Sequence, residues 1–261
     1  MFSETERVQY RKPQLLEVIC QLRFPLILSI SAREPAEFQD LIRGSYPQYT
    51  RNVEKLPPKV LGQPGNMKLE EQPDVINYQF LSADGRWKVN MTNGFIALAT
   101  PAYTVWEEFA RRLDEVLAHF IKVYKPAYFE RIGLRYINAF SRKALGLEDT
   151  PFAELIEPSY LGVMADEDVN ERAFARITQE AELSLPGGCK LKLHCGPGMI
   201  KRNNVEDKEV RFILDNDIFM TGKIEMKHSA GALNTVHTHA DRAFRGAITD
   251  TLHRAMEPQE L

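Results

Sequence analysis

His237-Thr-His239-Ala-Asp241 is the densest run of potential metal ligands in the chain. On a helix, His237 and Asp241 lie one turn apart and can share a cation, while His239 points elsewhere. On a strand or loop, His237 and His239 would converge instead. A zinc site generally needs three protein ligands, and no third stands at a defined spacing. The competing reading of His237 is a hydrogen-bonded histidine at the border of an apolar helix stripe. Asp215-Asn-Asp217 closes an expected strand, where two carboxylates can hold a divalent cation with a phosphate. Acidic residues at a strand exit also serve as turn formers. No phosphate loop accompanies them, because Gly222-Lys223 is followed by Ile224 rather than Ser or Thr. Together, His237, Asp241, Asp215 and Asp217 would be the metal centre of a hydrolase.

A second set is basic. Lys190, Lys192 and His194 alternate along an expected strand, and Lys201-Arg202 follow the turn Gly196-Pro197-Gly198. Arg131 and Arg135 share one face of their own strand. Brought side by side, these residues would form a patch for phosphates, nucleic acid or an acidic partner. Apart, each is a solvated strand face balanced by Glu180 and Glu182, with lysines that guard a sheet edge. Nucleophilic chemistry has no motif here. Gly-x-Ser-x-Gly is absent, and Cys195 points away from its neighbour His194 on a strand. No cofactor motif is present, so no cofactor is expected.

The elements that must position these residues are clearer. A helix over 104–124 carries Trp106, Phe109, Leu113, Val116, Leu117, Phe120, Ile121 and Tyr124 as one apolar stripe, with Thr104 and Glu107 as a capping box. Lys125-Pro126 ends it. Before it come a strand over 15–24, with Leu16, Val18, Cys20 and Leu22 on one face, and a short helix opened by Glu34-Pro35 and closed by Gly44. An irregular connection over 46–65 and strands at 67–71, 75–81, 87–91 and 95–100 follow, with turns at Asp84-Gly85 and Thr92-Asn93-Gly94. After the helix the order repeats: a strand over 128–140, a short helix over 150–157, an acidic loop at 166–170, strands at 173–185, 190–195 and 210–215, and a helix over 229–256. An odd-numbered loop around Pro186-Gly187-Gly188-Cys189, with a bulge, pairs Leu185 with Leu191 and Leu183 with Leu193. It sets Ser184 and Glu182 beside Lys192 and His194.

The expected fold is α+β, with antiparallel sheets packed on two long helices. Residues 1–126 form a β-α-β4-α half and 127–261 a β-α-β3-α half, within one compact unit. Glu17 to Phe24 echoes Glu130 to Tyr136 with one gap, in keeping with a duplication. The element order resembles the saddle of the TATA-binding fold and, more loosely, the helix-grip fold.

Composition bounds the rest. A 261-residue chain that is 44% hydrophobic can build a sizeable core. A net charge of -3 argues against a general nucleic-acid coat, though not against a local patch. Cys20, Cys189 and Cys195 are odd in number and at no metal spacing, so they read as buried thiols in a reducing compartment. The first 13 residues are polar, and no apolar run approaches the roughly 18 residues of a membrane span. A cytoplasmic protein with no membrane partner is expected.

Tyr10-Arg-Lys-Pro-x-Leu-x-Glu17, Leu22-Arg-Phe24, Tyr124-Lys-Pro126, Arg131-Ile-Gly-Leu-Arg-Tyr-Ile-Asn138 and Leu214-Asp-Asn-Asp217 span nearly the whole chain. With 95–106 and 244–252, they make it resemble a sporadically distributed family of uncharacterised bacterial proteins of about this length. The resemblance implies no activity and lends no functional residues. Sporadic distribution implies cargo of mobile elements or defence loci, where accessory subunits are common. With no complete catalytic constellation, the sequence points to a non-enzymatic accessory or regulatory subunit. It would engage a protein partner through the sheet or the 46–65 connection. The alternative is a helix-grip or saddle-type binder of a small ligand or nucleic acid, and the metal-dependent hydrolase ranks third. Oligomeric state is not legible.

Overall fold

The computed structural model describes residues 2–3, 7–55, 57–61, 67–72, 74–202 and 205–260. Its frame is one nine-stranded antiparallel sheet. In chain order the strands are β1 (Leu15–Arg23), β2 (Gln48–Glu54), β3 (Val75–Leu81), β4 (Lys88–Met91), β5 (Phe95–Thr100), β6 (Phe129–Phe140), β7 (Gln179–Ser184), β8 (Cys189–Gly198) and β9 (Arg211–Ile224). Across the sheet they run β7-β8-β9-β6-β1-β5-β4-β3-β2. Strands β1 and β6 therefore pair at the middle, with Cys20 opposite Leu134 and Leu22 opposite Ile132.

Alternation along each strand divides the sheet into two faces. Val18, Cys20 and Leu22 of β1, Ile132 and Leu134 of β6, Leu191 and Leu193 of β8, and Leu214 and Ile218 of β9 are all buried. These face the helices. The Ser229–Arg245 helix lies over β6 and β9. The apolar stripe of the Trp106–Tyr124 helix meets aromatic rings of the first half: Phe120 lies 4.9 Å from Phe24, and Phe109 5.8 Å from Trp87. The opposite face carries the polar alternate residues. No helix among the described residues is long and apolar enough to cross a membrane.

Several expectations change. The 46–65 connection contains β2, which is the sheet edge beside β3. Conversely, the strand expected at 67–71 leaves the sheet: Lys68–Glu70 pairs with Lys59–Leu61 in a separate two-stranded ladder. Part of that connection, residues 56 and 62–65, lies outside the described residues. The capping box does not form. Thr104 donates to Glu108 at 2.6 Å, and Glu107 is taken by Arg7, so the helix starts at Trp106 without a side-chain cap. The 173–185 strand shortens to β7, with a helical turn at Glu171–Ala173. The last helix breaks after Arg245, because Ile248 bridges to Ile156 and Thr249 N–H donates to the Leu155 carbonyl. Thr249 then caps a separate helix, Asp250–Ala255.

The β7–β8 register is two residues from the expected one. Leu183 faces Leu191, Glu182 faces Lys192 and Glu180 faces His194. The loop is odd as expected, because three residues, Pro186–Gly188, close between Leu185 and Cys189. Gly187 and Gly188 take φ of +73° and +74°, which glycine adopts at no steric cost. The pairing carries no bulge. A shift of two residues keeps every side chain on its expected face.

Candidate functional site

Strand β6 brings two polar residues onto the core-facing side. After Ile132 and Leu134, the same register places Tyr136 and Asn138 inward. Opposite Tyr136 on β9 stands Asn216, which is likewise buried. His237 and Asp241, one turn apart on the Ser229–Arg245 helix, lie above this region together with Ala240 and Phe244. Tyr103 and Trp106, at the start of the other long helix, close one side. The strand Val8–Tyr10, paired with Pro258–Glu260, closes the outer wall. These elements line an open cavity of about 470 Å³.

The His237 ring stacks on Trp106, with centroids 4.2 Å apart and planes at 9°. Its Nδ1 lies 3.3 Å from the Tyr136 hydroxyl, which donates to the Tyr103 hydroxyl at 3.4 Å. His237 Nε2 is buried without a partner, and so is Asn138 Nδ2. Both amide atoms of Asn216 beneath them are in the same condition. Unpaired buried polar atoms are rare and costly, and they call for an explanation.

Burial pushes the His237 imidazole down to about 4, helped by the Arg7 charge and opposed by Glu107. It is therefore neutral at physiological pH. Burial also holds the Asp241 carboxyl above its usual range, against Arg7 and Arg242. Tyr10 and Tyr103 are pushed up to about 12, chiefly by burial. Arg7 donates to both oxygens of Glu107, at 2.8 and 3.2 Å. Tyr10 reaches His253 Nδ1 at 2.7 Å. The three thiols are buried and their ionisation is suppressed by desolvation, Cys195 up to about 11, so none is an activated nucleophile.

The expected metal set is split by the sheet. Asp215 and Asp217 sit within β9, not at its end, and point to the open face. His237 and Asp241 lie on the helix side. Strand β9 continues because Asp215 and Asp217 face outward onto arginines while Leu214, Asn216 and Ile218 stay inward. Arg135 holds Asp215 at 2.5 Å and Arg131 holds Asp217 at 2.7 Å. Among the described residues no three His, Cys, Asp or Glu side chains are grouped to hold a metal.

The basic set is brought together, though interleaved with acids. Lys192 stands opposite Asp217 and His194 opposite Asp215. Lys190 pairs with Glu182 at 2.9 Å, and His194 lies 3.9 Å from Glu180. The open face of β6 to β9 is thus a charge-balanced checkerboard rather than a basic patch. Lys201 lies apart, in a short ladder opposite Glu206. The Arg202 side chain is outside the described residues. His239 turns to the Pro186 carbonyl at 3.0 Å.

Sequence reading missed Arg7, Tyr10, Tyr103, Trp106, Tyr136 and Asn138 as one site. A usable signal was present: Asn138 and Asn216 occupy inward positions of strands that are otherwise apolar on that face. Neither any protein-family model nor any curated protein matches the chain.

Proposed function

We propose that this chain is a small-ligand-binding protein and that the cavity beneath the Ser229–Arg245 helix is its site. The observation that carries this is the combination of aromatic walls with unpaired buried polar atoms on His237 and Asn138. Ligand sites are concave, largely apolar and supplied with a few convergent polar groups, and they concentrate perturbed ionisable residues. Where the sequence alone favours a protein-binding subunit, this cavity favours the helix-grip alternative.

The proposal includes a duplicated scaffold, with two long helices gripping one face of the sheet. Strand β1 lies beside β5 as β6 lies beside β9, which supports it. The sequence echo matches Gln21-Leu22-Arg23 to Gly133-Leu134-Arg135. That match exchanges the pair Leu22–Ile132 with the pair Cys20–Leu134, as a two-fold axis through Gln21 and Gly133 requires. It also sets Phe24, packed on Phe120, against Tyr136, bonded to His237. One repeat then keeps an apolar core contact where the other has turned polar to receive a ligand.

The test is a thermal-shift screen of small molecules, with mass spectrometry of whatever co-purifies. Ala240 lines the cavity and is 3% exposed. Ala240→Leu should fill the space and abolish the shifts while preserving the circular dichroism spectrum. Shifts that survive the filled cavity would place the ligand elsewhere and end this reading.

A further inference from the structure

Three charged residues line the cavity among those described: Arg7, Arg11 and Asp241. The two arginines are already held. Arg7 pairs with Glu107 at 2.8 Å, and Arg11 with Glu257 at 3.5 Å. Asp241 has no such partner among the described residues. It lies one helical turn from His237, half-buried, and accepts no hydrogen bond there. It lines the cavity with Tyr10, Tyr103 and Tyr136; its charge acts at each hydroxyl, against Arg245 at Tyr10 and Arg7 at Tyr103. The carboxylate and three aromatic rings therefore line one cavity.

Asp241 feels the Arg7 and Arg242 charges but forms no ion pair with either among the described residues, and a half-buried carboxylate without a paired counter-ion is relieved by one. Aromatic rings carry negative faces that attract cations. His237 Nε2 is buried without a hydrogen-bond partner and offers the ligand a polar contact.

We infer that the ligand carries a positively charged nitrogen, as an amine or quaternary ammonium, seated against Asp241 among Tyr10, Tyr103 and Tyr136. This rests on the ligand-binding reading above.

Calorimetric titration of the full chain with four probes tests it: phenethylamine, choline, neohexyl alcohol (the uncharged carbon isostere of choline) and pivalate. At least one cation should bind about tenfold or more tighter than the alcohol, the scale of one charge-assisted contact. Asp241→Asn should erase that preference. Phenethylamine ahead of choline would identify an N–H-bearing amine, and the reverse order an alkylated ammonium. An alcohol that binds as tightly as the cations, or a pivalate that binds tighter, overturns the inference and leaves the cavity as a site for another ligand. A thermal-shift library whose hits are all neutral or anionic does the same. No binding by any probe, with no shift across the library, removes the ligand-binding reading itself. The wild-type comparison decides the charge preference without relying on the variant.

Discussion

His237 concentrates the chemistry of this protein in one ring. Its ordinary value of 6.5 falls to about 4 in the fold, chiefly because burial disfavours the charged form. Above pH 6.5 neither native nor unfolded chain binds this proton. Below it the unfolded chain takes a proton that the native state refuses, so stability falls as pH drops from 6.5 towards 4. The loss from this group is at most roughly 3 kcal/mol. His237→Phe keeps the stack on Trp106 and should flatten the stability profile between pH 7 and 5 in urea melts. A profile as steep as wild type would assign the effect to another group. On the open face, Arg131 and Asp217 are mostly shielded, with 15% and 26% of their side chains exposed. A double-mutant cycle of Arg131→Met with Asp217→Asn should give a coupling of about 1 kcal/mol that shrinks with salt. A coupling near zero would make the checkerboard incidental to stability.

At the level of elements, two local devices hold the second half in place. Gly196 on β8 takes a φ of +149°, and a Cβ there would sit 2.7 Å from the Ile177 carbonyl oxygen. Backbone cannot retreat as a flexible side chain can, so Gly196→Ala should cost roughly 2–3 kcal/mol and lower the melting temperature. Thr249 accepts from Leu252 N–H and donates to the Glu154 carbonyl at 2.7 Å. Thr249→Ala should cost about 1 kcal/mol and fray Asp250–Ala255, seen as faster amide exchange there. Strands with strict alternation, such as β1 and β8, were legible because their inward residues are apolar one by one. Strand β2 was not, because all seven of its residues are exposed at an edge and carry no buried stripe. The capping box at Thr104 failed for a different reason: Arg7, a hundred residues away, engages Glu107, and Thr104 turns to Glu108.

The whole molecule turns on the β1–β6 seam. If the halves are repeats joined at that seam, each half alone loses one neighbour of its innermost strand, β1 keeping only β5 and β6 only β9. Fragments 1–126 and 127–261 expressed separately should remain unfolded or aggregate, and co-expressed they should associate as one species on size exclusion. A folded monomeric half would refute that interdependence. The full chain should unfold in one transition, with tryptophan fluorescence and circular dichroism coinciding.

By itself, the sequence determined the α+β class, most of the antiparallel strands, the helical stretches at 106–124 and 229–245 and the odd β7–β8 loop. These follow from local periodicity and turn chemistry, which each segment carries within a dozen residues. Only the tertiary structure decided what the singled-out residues do. It put Asp215 and Asp217 on one side of the sheet and His237 and Asp241 on the other, dissolving the metal centre. It set Glu180, Glu182, Asp215 and Asp217 among the basic residues, cancelling the patch. It also joined Arg7, Tyr10, Tyr103, Tyr136 and Asp241 around one cavity. The physical reason is separation along the chain: Arg7 and Asp241 belong to segments whose proximity comes from sheet order and helix placement, which no local pattern encodes.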